Sequence, residues 1–173
     1  MSDLIVTADA PGATTGWAQL GARKFRCALG RSGIVADKRE GDGGTPVGSF
    51  PLRRLFVRAD RGATPAAAVP VSVIKPEDGW CDAPEHPDYN RRVALPFAAS
   101  HEKMWLDDHV YDLVLVIGHN DDPPVPHKGS AVFVHLARDG YKPTEGCIAF
   151  SRADLEAILQ AMAPSGRVVV EAA

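Results

Sequence analysis

A chain of 173 residues with 45% apolar and 24% charged side chains has the size and composition of one globular domain that can bury a core. Its 19 Lys and Arg against 22 Asp and Glu give a net charge of -3, with no basic tract and few aromatics, which argues against a nucleic-acid partner. The opening stretch MSDLIVTADAPGATTGWAQL has neither a basic n-region nor an apolar run long enough for a signal peptide or a membrane span, so a cytoplasmic protein without membrane contact is expected.

Three cysteines, Cys27, Cys81 and Cys147, are too few and too irregularly spaced for a disulfide framework or a paired zinc motif. In chain order, Leu4 to Ala8, Trp17 to Leu20 and Lys24 to Leu29 read as three short strands of a meander, followed by a turn at Gly30-Arg31-Ser32-Gly33. Lys38 to Gly48 is dense in glycine and must be a loop, either a plain surface turn or a backbone that lies close to a ligand. It lacks the Lys-Ser/Thr ending of a phosphate-binding P-loop. Phe50 to Arg58 and Val69 to Ile74 read as further strands. The four prolines between Lys75 and Pro96 rule out regular helix there and predict a long covering loop.

Val110 to Ile117 is the most apolar run and predicts a core strand, ended by the turn residues Gly118 to Pro124. Ala131 to Val134 predicts a second, with His135 at its end. Ser151-x-x-Asp154 predicts a helix N-cap, and Leu155, Ile158, Leu159 and Met162 form one apolar stripe behind it. Arg167 to Glu171 returns as a last strand. The whole of 1–173 therefore reads as a single, mostly-β domain, a β-sandwich or closed barrel with one or two short helices.

The chemistry concentrates at Cys147. A thiol of pKa near ~8.5 needs a neighbouring His or fixed dipoles to act at neutral pH. All six histidines precede Cys147, so any His-Cys pair that uses it runs His first, and His135 is the candidate base. Gly146 clears the approach to the thiol, and a helix starting at Ser151 would bring free N–H groups near an oxyanion. The plain alternative is a small buried Cys. Cys27, inside an alternating strand, reads as core. Cys81 is either a buried loop residue or a second thiol site with His86. His119, His127 and His135 recur at intervals of eight, but no HExxH, CxxC or i, i+4 His pair accompanies them, so no metal is expected.

His135 followed by Thr144-Glu145-Gly146-Cys147-Ile148 resembles the L,D-transpeptidase catalytic domain of the YkuD type. Gly41-Asp42-Gly43-Gly44-Thr45-Pro46-Val47-Gly48-Ser49-Phe50 is similar to that family's Gly-Asp-Gly-x-Thr-Pro loop. Gly79-Trp80-Cys81-Asp82, Tyr89-Asn90-Arg91 and Gly118-His119-Asn120-Asp121 resemble a compact subgroup of it.

The resemblance implies Cys147 as nucleophile, His135 as base oriented by the Leu136 carbonyl, and oxyanion N–H groups from Glu145, Gly146 and Cys147. It implies Thr144, Tyr89, Asn90, Arg91, Trp80, His119 and Arg138, with Glu145, as substrate-binding residues. It also implies a peptidoglycan stem peptide or soluble muropeptide as partner, with no cofactor and no obligate protein partner. Two departures stand out. Glu145 replaces the family's His before the glycine, and Ala149 replaces its Arg after the cysteine, so a carboxylate clamp must come from elsewhere. Arg91, Arg92, Arg138 and Lys142 are the candidates. The absence of a leader predicts an L,D-carboxypeptidase of soluble muropeptides, with L,D-crosslinking as the alternative, and Glu145 and Ala149 leave an inactive muropeptide binder as a second one.

Overall fold

Fourteen strands and one α-helix follow one another in the computed structural model, which describes residues 3–173. In chain order the strands are β1 (Leu4–Ala8), β2 (Thr15–Leu20), β3 (Arg23–Ala28), β4 (Ile34–Val35), β5 (Thr45–Pro46), β6 (Gly48–Val57) and β7 (Val71–Val73). They continue as β8 (Asp78–Cys81), β9 (Arg92–Ala94), β10 (His101–Lys103), β11 (Leu113–Ile117), β12 (Phe133–Leu136) and β13 (Ile148–Phe150). The helix α1 (Arg152–Ala161) and β14 (Arg167–Val170) complete the chain.

The main sheet runs β11-β12-β13-β3-β2-β1-β14-β6, and β6 pairs again with β11, so eight strands close into a barrel. The length of β6 makes the closure possible: its first half pairs with β14 (Val170↔Gly48 to Arg167↔Pro51) and its second half with β11 (Leu113↔Val57 to Ile117↔Leu52). Closure leaves the barrel strands no free edge except where β7 adds to the outer half of β6.

The period-2 pleat explains the apolar runs. In β11, Leu113, Leu115 and Ile117 point into the barrel core, whereas Val114 and Val116 belong to a second core on the outside. A strand buried on both faces reads as continuous Val/Leu/Ile, as this one does. Ser151 caps α1 by accepting from the Asp154 N–H at 3.2 Å, and Leu155, Ile158, Leu159 and Met162 lie on the barrel core.

The second core lies between the outer wall formed by β6, β11 and β12 and a small antiparallel sheet, β10-β8-β9. Residues 75–96 are not the long loop that their prolines predict but carry β8 and β9. The prolines in that stretch flank the strands rather than interrupt them: Pro76 precedes β8, Pro84 and Pro87 fall between β8 and β9, and Pro96 follows β9. Trp80 of this lid packs edge-on against Phe133 of the wall with ring centroids 4.9 Å apart. The far end of the lid is fastened by Arg58, whose guanidinium lies 3.5 Å from the Trp105 ring centroid and donates to the Leu106 carbonyl at 2.7 Å.

A second correction bears on the site. The expected strand ending before His135 is shifted by two residues, and His135 lies inside β12. Ala131 has φ +52°, a left-handed conformation that no strand interior tolerates, so pairing begins only at Phe133.

Candidate active site

Strand register sets the site. β12 and β13 are parallel neighbours with Val134 opposite Ile148 and His135 opposite Ala149. Val134, Leu136, Ile148 and Phe150 fill the barrel core, which turns Phe133, His135 and Cys147 to the outer face, under the lid. His135 and Cys147 line one cavity of about 430 Å³.

His135 is buried, and its Nδ1 lies 2.9 Å from the Leu136 carbonyl oxygen. A carbonyl only accepts, so Nδ1 carries the proton and Nε2 keeps the lone pair of a base. The Tyr111 ring meets the imidazole edge-on at 5.3 Å and holds its plane. The Cys147 thiol donates to the Ala131 carbonyl at 3.2 Å and accepts from the Phe133 N–H at 3.3 Å.

Both groups are neutral in the empty cavity. Burial pushes the Cys147 thiol up to about 12, with the Glu102 charge adding to the effect, and burial pushes His135 down to about 4. The hydrogen-bond partners of the thiol, the Phe133 N–H and the Ala131 carbonyl, carry no charge that offsets this burial. The helix is not the source of oxyanion donors: β13 intervenes between Cys147 and α1, and the Ser151 side chain caps the helix start.

The loop before the thiol is held by Thr144, which is buried: its hydroxyl donates to the Cys147 carbonyl at 2.6 Å and accepts from the Gly146 N–H at 3.1 Å. Gly146 therefore contributes by its missing side chain while its N–H is already bonded. Its φ is +133°, and a Cβ there would stand 2.7 Å from the Gly44 carbonyl oxygen. The glycine-rich loop thus does bring its backbone against the site. At Gly30, a Cβ would lie 2.2 Å from the Gly43 carbonyl and 3.1 Å from the Gly146 Cα, so three backbone segments meet beneath the nucleophile loop. Gly146→Ala is expected to lower the unfolding free energy by about 1–3 kcal/mol, checked by urea unfolding against wild type.

Seven of the eight predicted substrate-binding residues divide between two cavities, and Tyr89 borders neither. Thr144, Glu145 and Arg138 line the thiol cavity. Trp80, Asn90, Arg91 and His119 line a separate cavity of about 610 Å³ that also takes in Arg53, Arg54 and Arg92. Asn90 is engaged by protein partners: its Oδ1 accepts from the Trp80 indole N–H (2.9 Å) and the Ala131 N–H (3.0 Å), and its Nδ2 donates to the carbonyls of His119 (3.0 Å) and Asn120 (2.7 Å). Tyr89 is buried, donating to Glu40 at 2.7 Å and accepting from the Gly129 N–H at 3.0 Å. These two residues tie the lid to the loop in front of β12.

Of the cations considered as a carboxylate clamp, Arg138 borders the thiol cavity, Arg91 and Arg92 border the other, and Lys142 borders neither. Ala149, where the family motif has Arg, is 1% exposed between His135 and Ala28. Glu145 is exposed and pairs with Arg31 at 2.9 Å.

Lys38, Glu102 and Tyr111 are among the lining residues that the sequence expectations do not include. Lys38 is 9% exposed, and its ammonium binds Asp42 at 2.6 Å while the same carboxylate oxygen accepts from the Gly44 N–H. Its place inside the glycine-rich loop was the only signal. Glu102 accepts from the Tyr111 hydroxyl, and burial first, then the Asp82 and Glu40 charges, raise its carboxyl to about 7. The three histidines at intervals of eight go to three places. His135 lies under the lid, His119 borders the arginine cavity, and His127 meets Glu85. Cys27 is buried in β3, and burial raises its thiol to about 12. Cys81 is buried in β8.

The buried histidines predict acid sensitivity. His119, like His135, is held at about 4 by burial, so between pH 6.5 and 4.5 the unfolded chain takes up two protons that the folded one refuses. Over the same window folded Glu102 keeps one proton that the unfolded chain has given up. The net difference is about one proton, and stability falls as pH falls. The urea-unfolding free energy is expected to drop by about 2 kcal/mol from pH 6.5 to 4.5.

A family model for the L,D-transpeptidase catalytic domain, YkuD, matches residues 5–170. The chain belongs to this family. No curated protein and no solved structure matches it. Membership makes the chain an L,D-transpeptidase-type enzyme of a family that acts on peptidoglycan peptides, and it covers every element from β1 to β14. In this chain the domain is a closed eight-stranded barrel whose outer wall carries the thiol and the imidazole.

Proposed function

We propose that the protein cleaves the bond between the L-centre of meso-diaminopimelate and the terminal D-alanine of a peptidoglycan stem tetrapeptide, through a thioester on Cys147, with water as the usual acceptor. The observation that carries this reading is the pair in one cavity: the Cys147 thiol, and a His135 whose Nδ1 proton is tied to Leu136 and whose Nε2 is left as base.

Nε2 takes the thiol proton as Sγ forms a bond to the carbonyl carbon, and the carbonyl π electrons move to oxygen. The Glu145 and Cys147 N–H groups are the donors assigned to that oxyanion. Its collapse breaks the C–N bond, and the leaving D-alanine nitrogen takes the proton from Nε2. In the second half His135 takes a proton from water, the hydroxide adds to the thioester, and expulsion of the Cys147 thiolate returns the proton to sulfur.

A cavity of about 430 Å³ is at the small end of ligand sites and suits one short peptide with a water. The second reading, L,D-crosslinking, is favoured by the larger arginine-lined cavity walled by Trp80 and Phe133, which offers room for an acceptor peptide. Mass spectrometry of products from a defined tetrapeptide donor with acceptor present tests the choice. Free D-alanine and tripeptide support the carboxypeptidase, and crosslinked dimer as the main product overturns it.

A further inference from the structure

The two cavities have opposite electrical character. Four arginines face one acidic residue, Asp121, in the cavity beyond Trp80. In the thiol cavity four acidic side chains, Glu40, Asp82, Glu102 and Glu145, face two cations, Lys38 and Arg138.

In the thiol cavity most of these charges have partners. Glu40 accepts from the Tyr89 and Ser130 hydroxyls at 2.7 and 2.6 Å, Asp82 from Ser100 at 2.6 Å, and Glu145 pairs with Arg31. Lys38 is bound to Asp42, and Arg138 lies 3.6 Å from Asp108. Glu102 stands apart by its place: burial raises its carboxyl, and its charge acts on the Cys147 thiol. It stands on β10 opposite Trp80, one of its oxygens accepts from the neutral Tyr111 phenol, and the other has no hydrogen-bond partner among the described residues. The Tyr111 ring that steadies it also packs on His135. A carboxyl beside the nucleophile with an open oxygen and no cation bonded to it suits a positively charged ligand group.

We propose that Glu102 is a subsite for a primary ammonium on the side chain of the substrate residue whose carbonyl Cys147 attacks. This rests on the L,D-bond reading above, in which that residue is an α,ω-diamino acid. In the empty cavity the Glu102 carboxyl, raised to about 7 and facing Asp82, Glu40, Tyr111, Cys147, His101, Lys38, Arg138 and His135, holds a proton that the arriving ammonium displaces. Binding therefore releases a proton and tightens as pH rises towards 7.

The test compares two tetrapeptides, one with diaminopimelate and one with 2-aminopimelate, which keeps the chain length and the distal carboxyl and lacks the distal amine. Calorimetric binding to Cys147→Ala is expected to favour the ammonium peptide by about tenfold, and the Glu102→Gln double variant to reduce the preference to within about twofold. Glu102→Asp in the same background is expected to keep part of it. The preference is a ratio on one protein sample, so loss of folded material does not mimic the result.

An unchanged ratio after Glu102→Gln, or no preference in Cys147→Ala itself, overturns the subsite. D-alanine release from both peptides by wild type is measured alongside. No release combined with an intact, Glu102-dependent binding preference would overturn the L,D-bond reading and leave the ammonium subsite standing.

Discussion

Cys147→Ala is expected to abolish the thioester adduct seen by intact mass and to lower D-alanine release from a tetrapeptide by at least about 10³-fold, because a thioester needs a thiol and Cys147 supplies the one thiol that lines the cavity. Of the other two thiols, Cys27 is buried in β3 and Cys81 in β8, and neither lines the cavity. His135→Ala is expected to lower the same rate by about 10²–10⁴-fold while leaving the thiol in place. His135 and Cys147 are expected to act as a unit, so the double variant should cost little more than the cysteine variant alone. The reading of the site fails if Cys147→Ala retains D-alanine release within tenfold of wild type. Far-ultraviolet circular dichroism of the same samples separates a loss of activity from unfolding, since Ala at position 147 removes only one thiol from an outer-face position.

The second large effect concerns the empty enzyme. With the thiol pushed up to about 12 and His135 down to about 4, the resting pair is neutral, and the thiol proton is directed at the Ala131 carbonyl. Iodoacetamide is therefore expected to label Cys147 at pH 7 on the order of 10²–10³-fold more slowly than free cysteine, whose thiol is a few per cent ionised there. The labelling rate should keep rising beyond pH 9, where a free thiol has levelled off. Intact-mass time courses at several pH values measure this, and a plateau below pH 8 would show a preformed thiolate. Peptide turnover is not expected to share this steep profile. In the complex the electrophilic carbonyl takes up the charge as the proton moves to His135, so no isolated thiolate has to exist in the buried site. Such a nucleophile is protected from small oxidants and alkylators until a substrate fills the cavity.

These expectations separate what was local in the sequence from what was not. The alternation in Lys24 to Leu29, the unbroken apolar run of β11 and the Ser151 cap all depend on neighbours within one or two turns of chain, and all were legible, with bounds shifted by one to three residues. The start of β12 was misread because the left-handed Ala131 is imposed by its surroundings: its N–H is bonded to Asn90, which comes from the lid. β13 was missed because three residues, Ile148-Ala149-Phe150, carry too little periodicity to separate them from the helix that follows.

The sequence by itself determined the nucleophile candidate, the order of His before Cys, the imidazole orientation implied by the family motif and a mostly-β domain, sandwich or barrel, because these are carried by contiguous residues whose chemistry is specific. Only the tertiary structure decided the charge state of the pair, the division of the expected substrate residues between two cavities, and the presence of Glu102 and Lys38 beside the thiol. Burial under the lid sets the charge state, and a burial free energy belongs to an assembled interface between β8–β10 and the barrel wall, not to any segment of chain. Likewise Glu102 lies 45 residues before Cys147. Their meeting depends on the closure of β6 onto β11 and the folding of the lid over β12, long-range pairings that no local pattern records.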